Sequence, residues 1–146
     1  MNKSILILLV LFFVISCKTE SNYEHLDNYI KLKKEDISLA DFNSVIVVSE
    51  AGTCPFCTDH FTKAISNHIN NQNILFLVTT RGMNVDISSF IKTTRNNIVI
   101  DYSNDFSKLN LAKGCAIIEL KEQQIDTIIQ IQPENLQPSI DLFENH

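Results

Sequence analysis

Apolar residues in this chain recur with two periods, one that suits strands and one that suits helices. Residues 44–49 hold the unbroken β-branched run Val45-Ile46-Val47-Val48, which predicts a strand buried on both faces. Behind it Phe61, Ala64, Ile65 and Ile69 recur at helical spacing and predict a helix over 58–69. A second apolar strand follows at 74–79, closed by Arg81-Gly82. Ile87, Phe90 and Ile91 share one side of a short helix expected over 85–94, and Ile98-Val99-Ile100 forms a third strand ending at Asp101. Phe106, Leu109 and Leu111 suggest a helical turn or short helix after it.

The last third changes character. Residues 116–120 and 125–131 are apolar runs separated by Lys121-Glu122-Gln123-Gln124, the pattern of an antiparallel pair with a polar turn. Leu136, Ile140 and Phe143 then recur at helical intervals, and Pro138 inside that pattern means the helix begins there or is irregular before it. Upstream, Leu26, Tyr29 and Ile30 share a helical face within 23–32, inside a charged stretch that reads as a solvated tether and a short amphipathic element. Alternating strands and helices imply an α/β domain whose mostly parallel sheet is covered on both faces. The closing hairpin and helix add an antiparallel edge.

The N-terminus departs from this alternation. Met1-Asn2-Lys3 supplies a short basic region, and 5–15 is an almost unbroken apolar run. It is too short for a membrane-spanning helix of roughly 20 residues and suits the core of an export signal. The run ends in Val14-Ile15-Ser16-Cys17, which resembles the bacterial lipobox. That resemblance implies cleavage before Cys17 and lipidation of its thiol, with two or three acyl chains anchoring the protein to a membrane. An ordinary signal peptide or a short anchor, with an incidental cysteine, is the alternative. The expected organisation is a signal peptide at 1–16, a lipid-anchored tether with an N-terminal element at 17–43, and one domain at 44–146. Lys18 stands where an aspartate is associated with inner-membrane retention. The expected location is therefore the bacterial cell envelope, the outer membrane rather than the inner one in a Gram-negative host.

Composition narrows the partners. Twelve Lys and Arg against 17 Asp and Glu give a net charge of −5, and no basic stripe interrupts the acidic balance. Nucleic acid is excluded as an expected partner. No phosphate loop, dinucleotide fingerprint or Gly-x-Ser-x-Gly is present, and no cofactor is expected. Asp101 and Asp105 read as ordinary turn and cap residues.

The candidate chemistry lies in Gly52-Thr53-Cys54-Pro55-Phe56-Cys57, between the first predicted strand and the helix behind it. Two thiols at this spacing can close a small ring reversibly. Cys54 falls near the helix N-cap and Pro55 near the first helical position, where the missing N–H costs nothing. Unpaired amides and the helix dipole there favour the Cys54 thiolate, while Cys57, one turn in, is more shielded. In an exported protein the same pair can also serve as a structural staple.

With these residues in place, 44–146 resembles the thioredoxin-like family, and the strand before the hairpin resembles its membrane-tethered thioredoxin-like and peroxiredoxin-like branches. The resemblance implies an α/β, three-layer sandwich with a mixed central sheet and a C-terminal β-hairpin plus helix. It implies Cys54 as nucleophile and Cys57 as resolving thiol in disulfide exchange with protein partners, fed by a membrane electron donor. Pro55-Phe56 between the thiols resembles the glutaredoxin dipeptide, but the Val-Pro and Gly-Gly elements that go with glutathione binding are missing. Two positions depart from the family pattern. Its buried carboxylate six residues before the first cysteine is Val48 here, with Glu50 two residues displaced as a candidate accessory group. Its cis-proline before the hairpin falls on Cys115, in Lys113-Gly114-Cys115, where a trans bond is the default.

Cys115 carries three readings: a small buried hydrophobe, a third redox thiol, or the third thiolate of a metal site with Cys54 and Cys57. His60 would add Cys-x2-Cys-x2-His spacing to the last, although no second paired motif supports it. The sequence thus supports a lipid-anchored disulfide oxidoreductase. Its rivals are a non-catalytic thioredoxin-fold lipoprotein with a structural disulfide or a binding role, and a metal-binding lipoprotein.

Overall fold

The computed structural model describes residues 21–80, 84 and 86–144. The expectations for the signal peptide, Cys17 and the tether as far as residue 20, for Arg81-Gly82 and for Val85 lie outside the described residues. The described chain runs α1 (Asn22–Lys33), β1 (Ser44–Val48), α2 (Pro55–Ser66), β2 (Ile74–Thr79), α3 (Ser88–Ile91), β3 (Ile98–Asp101), β4 (Ala116–Lys121), β5 (Gln124–Gln130) and α4 (Leu136–Glu144). A 3₁₀ turn at Leu39–Asp41 precedes β1, and another at Asp105–Leu109 precedes β4.

The strands form one five-stranded mixed sheet in the order β3-β2-β1-β4-β5. β1 pairs parallel with β2 and antiparallel with β4, so it lies at the centre. Its β-branched run explains why: alternate side chains face opposite ways, and both faces are covered. Ile46 and Val48 join Phe76, Val78, Phe61 and Ile65 in one core. Val45 and Val47 join Leu75, Leu77, Leu26 and Ile30 in the other. The helices α2, α3 and α4 thus cover one face, while α1 and the turn carrying Phe106 cover the other. Helix, sheet and helix make the thioredoxin-like three-layer sandwich, with its mixed sheet and closing hairpin plus helix.

The N-terminal element is a full layer of this sandwich. Leu26, Tyr29 and Ile30 bury one face of α1, as their spacing predicts, and Tyr23 is buried with them. Ser21 and Glu24 close a reciprocal capping box at its start, through bonds of 3.2 and 2.7 Å. Its C-terminal end is fixed by charge. Lys33 reaches across to the end of β3, 3.0 Å from Asp101 and 2.9 Å from Asp105. Asp101 is fully buried and accepts hydrogen bonds from the Phe106 amide at 3.0 Å, the Ser103 amide at 3.1 Å and the Ser103 hydroxyl at 2.8 Å. Burial alone would raise its carboxyl, but the Phe106 amide, Ser103 and Lys33 outweigh that and hold it at about 2. Asp101 is therefore more than a turn residue: it ties α1, β3 and the following turn together.

Several boundaries differ from the sequence expectation. The helix expected over 85–94 is only the four residues of α3, introduced by an Asp86 side chain that accepts the Ser88 amide at 2.9 Å. Near Phe106 the expected helical turn or short helix is a 3₁₀ turn, bounded by Asn104 and Asn110 in the left-handed conformation at φ 60° and 54°. Asparagine tolerates that region, and its presence at both ends confines the turn. The hairpin turn is two residues, Glu122 and Gln123, both with positive φ, rather than the four polar residues that separate the apolar runs. Helix α4 begins at Leu136, so Pro138 lies in its first turn, where no helical amide is lost.

Candidate functional site

The loop that carries Cys54 leaves the C-terminal end of β1, on the face covered by α2. The Thr53 amide donates to the Glu50 carbonyl at 3.2 Å, closing a turn in which Gly52 takes φ 87°. Cys54 is the N-cap of α2, with extended backbone (φ −64°, ψ 140°), and Pro55 follows at the first helical position. Its carbonyl accepts the Thr58 amide at 2.9 Å and the Thr58 hydroxyl at 3.2 Å. Its sulfur takes the usual role of a capping oxygen, accepting the Cys57 amide at 3.0 Å.

Cys54 and Cys57 are joined in a disulfide, with 2.05 Å between sulfurs and 5.1 Å between Cα atoms. Their exposure differs. Cys57 is fully buried among Phe61, Val78 and Ile117, whereas Cys54 is half-buried at the rim. A thiolate arriving from solvent therefore meets Cys54 first. Phe56, between them, is 64% exposed and lies on the His60 ring with centroids 4.2 Å apart.

The structure brings Cys115 to this loop, as counting back from the hairpin anticipated. Cys115 is fully buried; its amide donates to the Thr53 hydroxyl at 2.7 Å and its thiol to the Ser49 carbonyl at 3.3 Å. Burial pushes that thiol up to about 11 despite its hydrogen bonds, and the Glu50 charge works in the same direction. Burial thus disfavours the Cys115 thiolate and makes it a poor nucleophile as it stands. Among the described residues, no three His, Cys, Asp or Glu side chains converge to hold a metal ion. His60 stacks on Phe56, and His68 lies against Phe143.

The peptide entering Cys115 is trans, as are all those among the described residues. Glycine does the local work instead. Gly114 has φ 95°, and a Cβ there would come within 1.9 Å of the Thr53 hydroxyl and 2.8 Å of the Ala51 carbonyl. Gly114→Ala is expected to cost about 2 kcal/mol or more, from left-handed strain plus this clash, as read by denaturant unfolding. An unchanged midpoint would show that the segment relaxes freely.

Glu50 is half-buried and its carboxylate accepts the Asn84 amide at 2.7 Å, a contact that ties the cysteine-bearing loop to Asn84. Val48 is fully buried in the sheet and offers no proton acceptor. A cleft of about 280 Å³ runs beside the loop, lined by Ala51, Gly52, Phe106, Lys113 and Gly114. A larger cleft, about 580 Å³, lies at the other end of β1 among Ser44, Ile74, Glu119 and Lys121, away from the cysteines. Sequence reasoning passed over Thr53 and Gly114. Two glycines, each one or two residues before a cysteine, were the available sign that two backbones approach closely here.

No family model, curated protein or solved structure matches the chain.

Proposed function

We propose that this protein is a thiol–disulfide oxidoreductase acting on protein disulfides through Cys54 and Cys57. The observation that carries the reading is the placement of a closed Cys-x-x-Cys ring at the start of α2, with its half-exposed sulfur on the N-cap residue and its buried sulfur one turn in. A reduced Cys54 there would meet the amides of the first turn and the positive end of the helix dipole, which favour thiolate.

The exchange balances in two steps. The Cys54 thiolate attacks one sulfur of the partner disulfide; a Cys54–partner bond forms, the partner bond breaks, and the leaving sulfur takes up a proton. Cys57 then gives up its proton and attacks the Cys54 sulfur, closing the ring seen here and releasing the second partner thiol. Two electrons and two protons pass to the partner, and a second dithiol, which we assign to a membrane electron donor, restores the reduced pair. Cys115 takes no part. Lipidation at Cys17 would hold this chemistry at the cell envelope; no described helix is long and apolar enough to cross a membrane.

The experiment is a trap. Cys57→Ser in the full chain, expressed in a bacterial envelope, is expected to accumulate mixed disulfides through Cys54, seen as reductant-sensitive adducts. An empty trap from well-expressed protein removes the exchange reading. It would favour a second one, in which the pair is a structural staple. The buried Val48, standing where a proton-accepting carboxylate would assist, is the observation on that side.

A further inference from the structure

Thr53 lies between the turn of the redox loop and the cap of α2, and its hydroxyl accepts the Cys115 amide at 2.7 Å. Both residues are buried, so water is poorly placed to substitute on either side of this bond. The antiparallel register between β1 and β4 runs only as far as Val47 opposite Ala116, which leaves the Cys115 amide one residue outside it. The hydroxyl supplies the acceptor for that amide, while the Cys115 carbonyl accepts the Ile131 amide at 2.9 Å. Gly114 makes the approach feasible, because a side chain there would occupy the place of the hydroxyl.

Two groups of contacts therefore hold Cys54 against the helix. From the helix side, the Thr58 amide and hydroxyl grip its carbonyl. From the sheet side, the neighbouring Thr53 is fixed to the head of β4. In the oxidised protein the disulfide adds a third constraint. Reduction removes it, since two electrons and two protons from a dithiol convert the bond into two thiols. Only the backbone grips then keep Cys54 in register with the amides of the first turn.

We infer that Thr53 is a positioning residue for the Cys54 thiolate: by fixing the redox loop to the head of β4, its hydroxyl keeps the reduced Cys54 at the N-cap of α2. The inference rests on the proposed role of Cys54 as nucleophile. Without the hydroxyl the residues before α2 swing, the cap frays, and the sulfur loses both the Cys57 amide and the dipole. The thiolate fraction falls, and with it the rate of attack.

The test uses the full chain, reduced with dithiothreitol and then freed of it without air. The rate of Cys54 alkylation by iodoacetamide is followed against pH, with the Cys54 peptide resolved by mass spectrometry. Thr53→Val removes the acceptor at nearly constant shape; Thr53→Ser keeps it. The parent is expected to titrate below the free-cysteine value of about 8.5. Thr53→Val is expected to move that midpoint up by about one pH unit, leaving roughly a tenth of the thiolate at pH values below it. Thr53→Ser is expected to follow the parent. Hydrogen exchange at the Cys115 amide reports the bond itself: protected in parent and serine variant, fast in the valine variant.

A folded Thr53→Val that titrates with a low parent overturns the inference and leaves the oxidoreductase reading standing. A serine variant that shifts as far as valine also overturns it, because the methyl rather than the hydroxyl would then be the working group. A parent that titrates at the free-cysteine value instead counts against the proposed function itself, and the inference falls with it. Should the valine variant not fold, Thr53→Ala removes the hydroxyl without placing a methyl against the amide and is read in the same way.

Discussion

Cys54→Ser is expected to reduce protein-disulfide turnover to the uncatalysed background, a loss of at least about a thousandfold, because the entering nucleophile is gone. Serine can still cap α2 through its oxygen, so the variant is expected to keep its circular dichroism and cooperative unfolding. Cys115→Ala supplies the contrast. Its thiol is buried and neutral, and it is expected to retain most of the turnover while losing some stability. Insulin-disulfide reduction by the three full-length proteins separates these outcomes. Turnover that survives in Cys54→Ser, or disappears equally in Cys115→Ala, would contradict the assignment of the attacking sulfur.

The second large effect concerns the fold. Asp101→Ala is expected to destabilise the protein by about 3 kcal/mol, since it removes a fully buried carboxylate and leaves Lys33, the Phe106 amide and Ser103 without that acceptor. The pH dependence follows from the depressed carboxyl. Its folded value near 2 lies below the ordinary 3.8, so the native state favours the ionised form. This stabilisation is fully present above the unfolded value and is lost as pH falls from about 4 through about 2, for a total of about 2 kcal/mol. Asp105 reinforces the trend, held well below the usual range by Lys108, Ser103 and Lys33. Urea unfolding of parent and Asp101→Asn across this acid range is the check. The parent is expected to lose stability steeply, and the asparagine variant less so. Parallel curves would show that Asp101 is not the group that titrates.

The two effects differ in how far they could be read from the sequence. Val45-Ile46-Val47-Val48 could hardly be anything but a central strand, because four consecutive β-branched residues need cover on both faces. The dithiol was equally open to reading, since Pro55 and the apolar spacing behind it mark where α2 must start. Local chemistry suffices in both places. Asp101 looked like a turn residue because its importance comes from Lys33, 68 positions earlier in the chain. Thr53 was silent for the same reason: its partner is the Cys115 amide, 62 residues away, and a backbone group leaves no mark in composition. α3 is shorter than its pattern suggests because helical spacing of a few apolar residues also fits a single turn, and the same holds for the choice between turn and short helix at Phe106. Asn104 and Asn110 were the local evidence that the second could not extend.

Seen together, the site joins a familiar placement of two cysteines to an unusual support. Where the thioredoxin-like resemblance would place a carboxylate there is the buried Val48, and where it would place a proline there is Cys115, its amide held by Thr53. Such a support can position a reactive thiolate or simply rigidify a permanent crosslink. What separates the two is how readily the ring opens. The reduction potential of the Cys54–Cys57 pair, measured by equilibration of the full chain with defined dithiothreitol or glutathione buffers, decides between them. A working exchange centre is expected between about −120 and −270 mV, the range spanned by known dithiol oxidoreductases. A value below about −300 mV, where structural disulfides resist reduction, would contradict the oxidoreductase assignment.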